Sequence, residues 1–208
     1  EGLRCPQLSF NFTIRKDLKG GTVMDESSVK LKQWIDSTES YEPASWDRLP
    51  ELELYMDQVL TFMNRQLEPF SPDKERLLTP SMINNYVKDG VLPRPVRKKY
   101  SRGHLAMLMM ICSLKTVLSL PEISSLLNGL TELSDICVLY PEFAKAHGDA
   151  ITETSACIAD APGSDRETLY RIALKLALEA NARRTAAASI INSLENPPAE
   201  KEKDKSKD

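Results

Sequence analysis

The chain has 208 residues, of which 41% are hydrophobic and 27% charged, values typical of a globular protein with a buried core. No uninterrupted apolar run approaches the ~20 residues that a membrane-spanning helix needs. The first ten residues lack the basic start and apolar middle of a secretory signal. We therefore expect a cytoplasmic protein with no membrane partner.

Four cysteines and two histidines limit the chemistry available to the chain. The cysteines, at 5, 112, 137 and 157, lack the paired spacings of zinc sites, and Cys112 lies in the apolar run LAMLMMIC as a predicted buried residue. There is no P-loop and no glycine-rich dinucleotide motif. Two S-x-x-K matches, at 27–30 and 71–74, lack the accompanying S-D-N and K-T-G motifs. We expect no enzyme activity, no cofactor and no metal site.

The first part of the chain is predicted to form an arm and two helices. Residues 8–14, LSFNFTI, alternate apolar and polar as a half-buried strand does. A helix is predicted over 25–36. From 50 to 67 the apolar residues recur at the spacing of one helical face, which predicts a second, amphipathic helix.

The next helix has clear start and stop signals. Thr79 is a predicted N-cap, Pro80 takes the first helical position, and Gly90 is expected to end the helix. The two prolines of VLPRPVRKKY disfavour helix, so this stretch is predicted to be a small β hairpin, or wing. Ser101 then begins an apolar helix that we expect at the centre of the core.

The remaining elements are also predicted to be helical. Ser119 and Glu122 form a predicted capping box for a helix that Asn128 and Gly129 are expected to end. Apolar residues then recur every three or four positions over 133–158, a heptad-like seam.

Pro141 is expected to kink or interrupt that seam. A last helix is predicted over 166–194, with alanines seven residues apart, and the charged segment 196–208 is predicted to be disordered. The seams can serve a dimer or pack within one subunit.

Basic residues are concentrated in one segment. The whole chain has a net charge of −3, but residues 74–104 hold eight Lys or Arg against two acidic residues, a charge of +6 that leaves −9 for the rest. Such asymmetry is typical of a polyanion-binding patch, although a basic solvated face gives the same count.

The short helix after Thr79 has an apolar face and, opposite it, a face of hydrogen-bonding groups suited to base edges and phosphates. Basic side chains of the hairpin follow. This order is typical of a winged helix-turn-helix, in which one helix enters the major groove and the wing follows the phosphate backbone. The predicted DNA-binding residues are Ser81, Asn84, Asn85, Lys88, Arg94, Arg97, Lys98, Lys99 and Arg102.

Three stretches, SMINNYVKDGVLPRP, KKYSRGHLAML and LSLPEISSLL, resemble the MerR-type DNA-binding domain. MINNYVKDG, RKKYS and VLSLPEI are similar to a bacterial family catalogued as domain of unknown function number 1836. The resemblance covers about residues 50 to 130. It implies that Tyr86 is the tyrosine of the recognition helix and Gly90 its terminating glycine. Asn84 stands where MerR-type proteins usually have arginine.

The resemblance also implies that Lys99 and Tyr100 end the wing, with Tyr100 either a core residue or a DNA contact. MerR-type regulators dimerise through a long helix that follows the DNA-binding unit. A lone winged helix makes few DNA contacts, so we expect a homodimer. His147, on the first seam, is either a pH-sensitive contact or a half-buried polar residue at a helix crossing.

The sequence thus predicts a mainly α protein with four parts. These are an N-terminal arm and helix (1–48), a MerR-like winged helix-turn-helix with a small β wing (49–130), a helical dimerisation or effector region (131–195), and a charged tail (196–208). The predicted function is that of a bacterial transcriptional regulator that binds specific duplex DNA, with an effector unidentified. The alternative is a protein-interaction or adaptor module that keeps the winged-helix fold without binding DNA.

Overall fold

The computed structural model describes residues 26–39, 41–67 and 78–195. The mainly α class is confirmed over these ranges, and none of their helices combines the length and hydropathy needed to cross a bilayer. The predicted strand at 8–14 and the tail at 196–208 lie outside them. The elements are α1 (Glu26–Glu39), a 3-10 helix (Trp46–Arg48), α2 (Met56–Leu67), α3 (Pro80–Lys88), α4 (Arg102–Leu114), α5 (Leu120–Leu133), α6 (Ile136–Cys157) and α7 (Arg166–Glu195).

Helix α4 forms the centre of the main core, as predicted. Its residues 105–112 are all buried, because α2 and α6 both pack against it. Cys112 is among them, and burial raises the pKa of its thiol to about 11. Its predicted role as a small buried residue is confirmed.

The predicted β wing is smaller in the structure than expected. Across the described ranges, β pairing is limited to two isolated antiparallel bridges, Leu54 with Tyr100 and Val96 with Lys99, and no sheet forms. Pro93 has no N–H to donate, and neither has Pro95, so a ladder cannot extend back along this arm. We call residues 91–100 the basic hairpin.

Two predicted helix boundaries were wrong. Helix α2 begins at Met56 rather than near 50, and Leu52, counted in its apolar stripe, is 81% exposed. Helix α5 does not end at Asn128 and Gly129 but continues to Leu133. A helical glycine costs only about 1 kcal/mol relative to alanine, which the packing of α5 on α6 and α7 offsets.

Helix α6 passes through Pro141, so the predicted interruption does not occur. From Tyr140 onward its seam packs within the chain. The Tyr140 hydroxyl donates to the Ala44 carbonyl over 2.8 Å, and the hydroxyls of Thr38 on α1 and Ser155 on α6 are also 2.8 Å apart. Both contacts are buried. The first fixes the segment around Ala44, which precedes α2, against α6, and the second fixes helix α1 against α6.

Helix α7 has 30 residues, of which only Ile191 is buried. Near its start, Leu169 and Leu176 pack on a small second core formed by Ile35 of α1 with Ile158 and Ala161. The opposite side of the same half stays exposed, with Tyr170 at 67% and Leu174 and Leu178 at 61% each. These three residues form the outer stripe of α7.

The Tyr140 hydrogen bond gives a direct test of this packing. Changing Tyr140→Phe leaves the buried Ala44 carbonyl without its donor, so we expect a loss of about 1–2 kcal/mol in the free energy of unfolding. Urea denaturation measures this loss. The same change at exposed Tyr170 should cost less than ~0.5 kcal/mol, and equal effects at the two sites would contradict this assignment.

Candidate nucleic-acid interface

Helix α3 has the caps that the sequence predicts. The Thr79 side chain accepts a hydrogen bond from the Met82 N–H over 3.3 Å, and Pro80 is the first helical residue. Beyond the helix, Gly90 has a left-handed backbone with φ of 73°. Ile83 and Tyr86 are buried against the core, which fixes the face of α3 that points outward.

The outward face of α3 carries the four predicted contact residues. Ser81, Asn84, Asn85 and Lys88 are all exposed. No hydrogen bond or ion pair engages their side chains within the described part of the chain. A hydroxyl, two amides and an ammonium group are therefore available to a ligand along one side of the helix.

The basic hairpin is tied directly to the end of α3. The Tyr86 carbonyl accepts hydrogen bonds from the N–H groups of Val91 and Leu92, over 2.9 and 3.0 Å. Both of these residues are buried. Because the helix end and the hairpin base share one acceptor, their relative position is fixed.

The hairpin tip is a two-residue turn with an unusual composition. Arg97 and Lys98 have φ values of 51° and 63°, and the Lys99 N–H donates to the Val96 carbonyl over 2.9 Å. Turns with two left-handed residues ordinarily carry Asn-Gly, because a larger side chain in this conformation costs about 1–3 kcal/mol. Both side chains are exposed, as is that of Arg94. The turn thus holds two cations in solvent at a cost in backbone energy.

The other two predicted hairpin cations are engaged within the chain. The Lys99 ammonium lies 5.6 Å from the centre of the Tyr55 ring. Arg102 is bonded to Glu51 at 3.0 Å and lies 5.5 Å from the Trp46 ring, with only 18% of its side chain exposed. These two residues hold the hairpin base, whereas the side chains of Arg97 and Lys98 make no hydrogen bond or ion pair within the described residues and are exposed to solvent.

The partners of these two cations are not evident from the sequence. Trp46, Glu51 and Tyr55 lie in the connection before α2, far from the hairpin in sequence. Trp46 and Tyr55 stand in an otherwise polar connection, and this was the signal in the sequence that the connection packs against another segment. The backbone pairing of Leu54 with Tyr100, over 2.8 and 2.9 Å, brings that connection to the hairpin.

Tyr100 packs in the core rather than facing outward. It is 3% exposed, and its ring meets that of His104 edge-on at 5.6 Å. Tyr86 is also buried, which raises the pKa of its phenol to about 12. Of the two alternatives for Tyr100, the structure supports the core residue.

These features lie within one recognised segment. Residues 44–143 match the family model described as Domain of unknown function (DUF1836). The DUF1836 segment runs from Ala44, the acceptor for Tyr140, to Phe143, and it contains the connection, α2 to α5 and the basic hairpin. No curated protein and no solved structure matched the chain. The similarity to family number 1836 is confirmed for this segment.

His104, within the matched segment, forms a capping box with Ser101 at the N-terminus of α4. Its Nδ1 accepts from the Ser101 N–H over 3.1 Å and lies 2.8 Å from the Ser101 hydroxyl. An accepting Nδ1 requires the neutral ring with its proton on Nε2. Burial lowers the pKa of His104, partly opposed by the backbone of Pro93 and Arg94 and by Glu53.

His147 on α6 is half-buried, stacked on Phe143 at 5.6 Å and edge-on to Tyr41 at 5.7 Å. Burial lowers its pKa as well. It therefore lies among aromatic rings at the crossing of α6 with the segment that follows α1. His147 is thus half-buried, as the second alternative expects, and its pH sensitivity stays a prediction that the next test addresses.

The two histidines predict how stability depends on pH. Both have a pKa below the ordinary 6.5, so unfolding takes up protons and stability falls as pH drops from about 6.5 through the lowered values. Thermal melts between pH 7.5 and 5 measure this loss. Replacing His104→Asn and His147→Gln together should flatten the profile in that window. Glu122 and Asp165 also have a lowered pKa, but they change stability only below their ordinary pKa values of 4.5 and 3.8, outside this window. An unchanged stability profile in the double histidine variant would therefore contradict the assignment.

Proposed function

We propose that the protein is a cytoplasmic bacterial transcriptional regulator that binds specific duplex DNA through a MerR-like winged helix-turn-helix, as a homodimer. Two observations carry this proposal: α3 has an exposed hydrogen-bonding face, and the hairpin bonded to its last turn ends in two exposed cations with left-handed backbone. The +6 charge of residues 74–104 in a chain of net charge −3 supports the same conclusion.

In this proposal α3 enters the major groove. The amides of Asn84 and Asn85 are suited to paired hydrogen bonds with adenine, and Ser81 and Lys88 reach base edges or phosphates. The amides supply sequence discrimination, because phosphate contacts position a protein without reading sequence.

The hairpin has two roles. Arg94, Arg97 and Lys98 contact phosphates, since their side chains are exposed. Lys99 and Arg102 hold the hairpin against the connection before α2, and their charges add to the attractive field. Loss of Arg102 would therefore act through the position of the hairpin.

A salt titration tests the proposal. Changing Arg97→Ala and Lys98→Ala should weaken binding to random duplex and flatten the slope of log affinity against log salt by up to roughly two units. The matched control is Lys30→Ala with Lys145→Ala, which removes the same charge from exposed sites on α1 and α6. Fluorescence anisotropy measures both. Equal slopes in the two variants would contradict the interface, and no binding at low salt would favour the adaptor alternative.

A second hairpin variant separates folding from binding. Replacing Arg97→Asn and Lys98→Gly gives the turn its preferred residues, so the free energy of unfolding should rise by about 1–2 kcal/mol. DNA affinity should fall as it does in the alanine variant. A protein that is stabilised and still binds DNA normally would exclude the tip cations from the interface.

The proposed homodimer uses the outer stripe of α7. Tyr170, Leu174 and Leu178 lie on one side of the N-terminal half, while the same side of the C-terminal half has small residues, including Thr185 and Ala188. Two antiparallel copies would place the large side chains of each against the small ones of the other. This arrangement is self-complementary, as a two-fold interface must be.

The dimer is tested by sedimentation. Leu174→Asp with Leu178→Asp would bury two carboxylates in the interface, so we expect monomers at concentrations where the unchanged protein is dimeric. The control is Leu52→Asp, in the connection before α2, where the side chain is 81% exposed. This change should leave the sedimentation mass of the dimer unaltered. A dimer that survives the α7 changes would exclude this surface.

A further inference from the structure

An apolar groove lies on the other side of α7 from the outer stripe. It is bounded by α5, α6, α7 and the end of α4 with the turn that follows, and its volume is about 700 Å³, within the ~300–1,000 Å³ of small-molecule sites. Leu118 and Ile191, both buried, form its floor and belong to the main core. Val117 and Ile190 at its rim are 42% and 61% exposed. Exposed apolar residues at the rim of a groove of this volume are typical of a binding site.

The charges around the groove are uneven. Glu179 is paired with Lys175 at 3.8 Å, and the Nε of Arg184 donates to the Val117 carbonyl over 2.8 Å. Arg184 also lies close enough to Glu122 to lower the pKa of that carboxyl, after the hydrogen bonds from Ser119. Arg183 has neither an acidic nor a hydrogen-bonding partner within the described residues. The guanidinium of Arg183 therefore lies beside the apolar groove without a partner within the described residues.

We infer that this groove binds an amphipathic carboxylic acid of the fatty-acid class, with its chain on Leu118 and Ile191 and its carboxylate on Arg183. A guanidinium binds a carboxylate through two parallel hydrogen bonds. A hydrocarbon chain needs no hydrogen-bonding partner from the residues that line the groove. Thr154 is the one uncharged polar side chain of the lining. A ligand with a single charged end fits this distribution.

The dimensions favour a small molecule over a protein helix. A three-turn helix with side chains is about 10 Å wide and 16 Å long, roughly 1,200 Å³. A docked helix would therefore insert only the side chains of one face, whereas a single hydrocarbon chain fits within the groove volume. The inference is independent of DNA binding, since the site lies between α5 and α7 and is tested without DNA.

The test is calorimetric titration of the full chain with dodecanoate below its micelle concentration. We expect saturable binding at one site per chain, with affinity rising up to about fourfold per methylene from octanoate to dodecanoate. Dodecyltrimethylammonium, which has the same chain and the opposite charge, should bind at least ~10-fold more weakly. Equal binding of the two amphiphiles would overturn the inference. Absence of dodecanoate binding at about 1 mM would overturn it as well.

Two variants assign the binding to the groove. Because the side chain of Arg183 is exposed, Arg183→Gln should weaken dodecanoate by up to about fivefold, whereas Arg171→Gln, which removes the same charge from α7 outside the groove, should have no effect. Ala187→Phe fills the groove and should abolish binding, with circular dichroism to verify that the helices are retained. Unchanged binding in both groove variants would overturn the inference. A change from dimer to monomer in Ala187→Phe would also overturn it, because the groove would then be a subunit interface.

Discussion

The burial of α4 on nearly every side is the constraint on which the rest of the structure depends. Eight consecutive residues, 105–112, are removed from solvent, and each large apolar side chain so buried contributes about 1.5–3 kcal/mol. An exposed ion pair contributes at most ~1 kcal/mol. Apolar packing around α4 therefore sets the position of α3 and of the basic hairpin, and the Arg102 contacts at the start of α4 only adjust it.

The basic hairpin holds two cations at its tip at a cost to stability, and in the proposed function those cations contact phosphates. Arg97 and Lys98 occupy backbone conformations that glycine or asparagine adopts at less cost. Nothing in the packing of the described residues requires long cationic side chains there, since both are exposed. Strain of this kind persists when surrounding structure enforces it, as the Tyr86 and Leu54 backbone contacts do on either side of the hairpin.

Helix α7 illustrates the limit of a periodic pattern. The sequence predicts the helix and a line of alanines seven residues apart, a pattern that indicates a single seam. In the structure the helix has two separate apolar sides, because Leu169 and Leu176 pack on the second core while Leu174 and Leu178 remain exposed. Spacing shows that residues share a face, but it does not show which neighbour covers that face, since covering depends on elements distant in sequence.

Local signals in the sequence determined most helix starts and the division of α3 into two faces. Thr79 and Ser119 act through hydrogen bonds within a few residues, so their roles could be read from neighbouring residues alone. Gly129 was expected to end α5, but tertiary packing outweighed its local cost of about 1 kcal/mol, and α6 likewise continues through Pro141 without interruption. Which cations remain free was decided only by the tertiary structure. Glu51 and the aromatic rings before α2 reach the hairpin through the pairing of Leu54 with Tyr100, a contact between segments too far apart in sequence for any local pattern to specify.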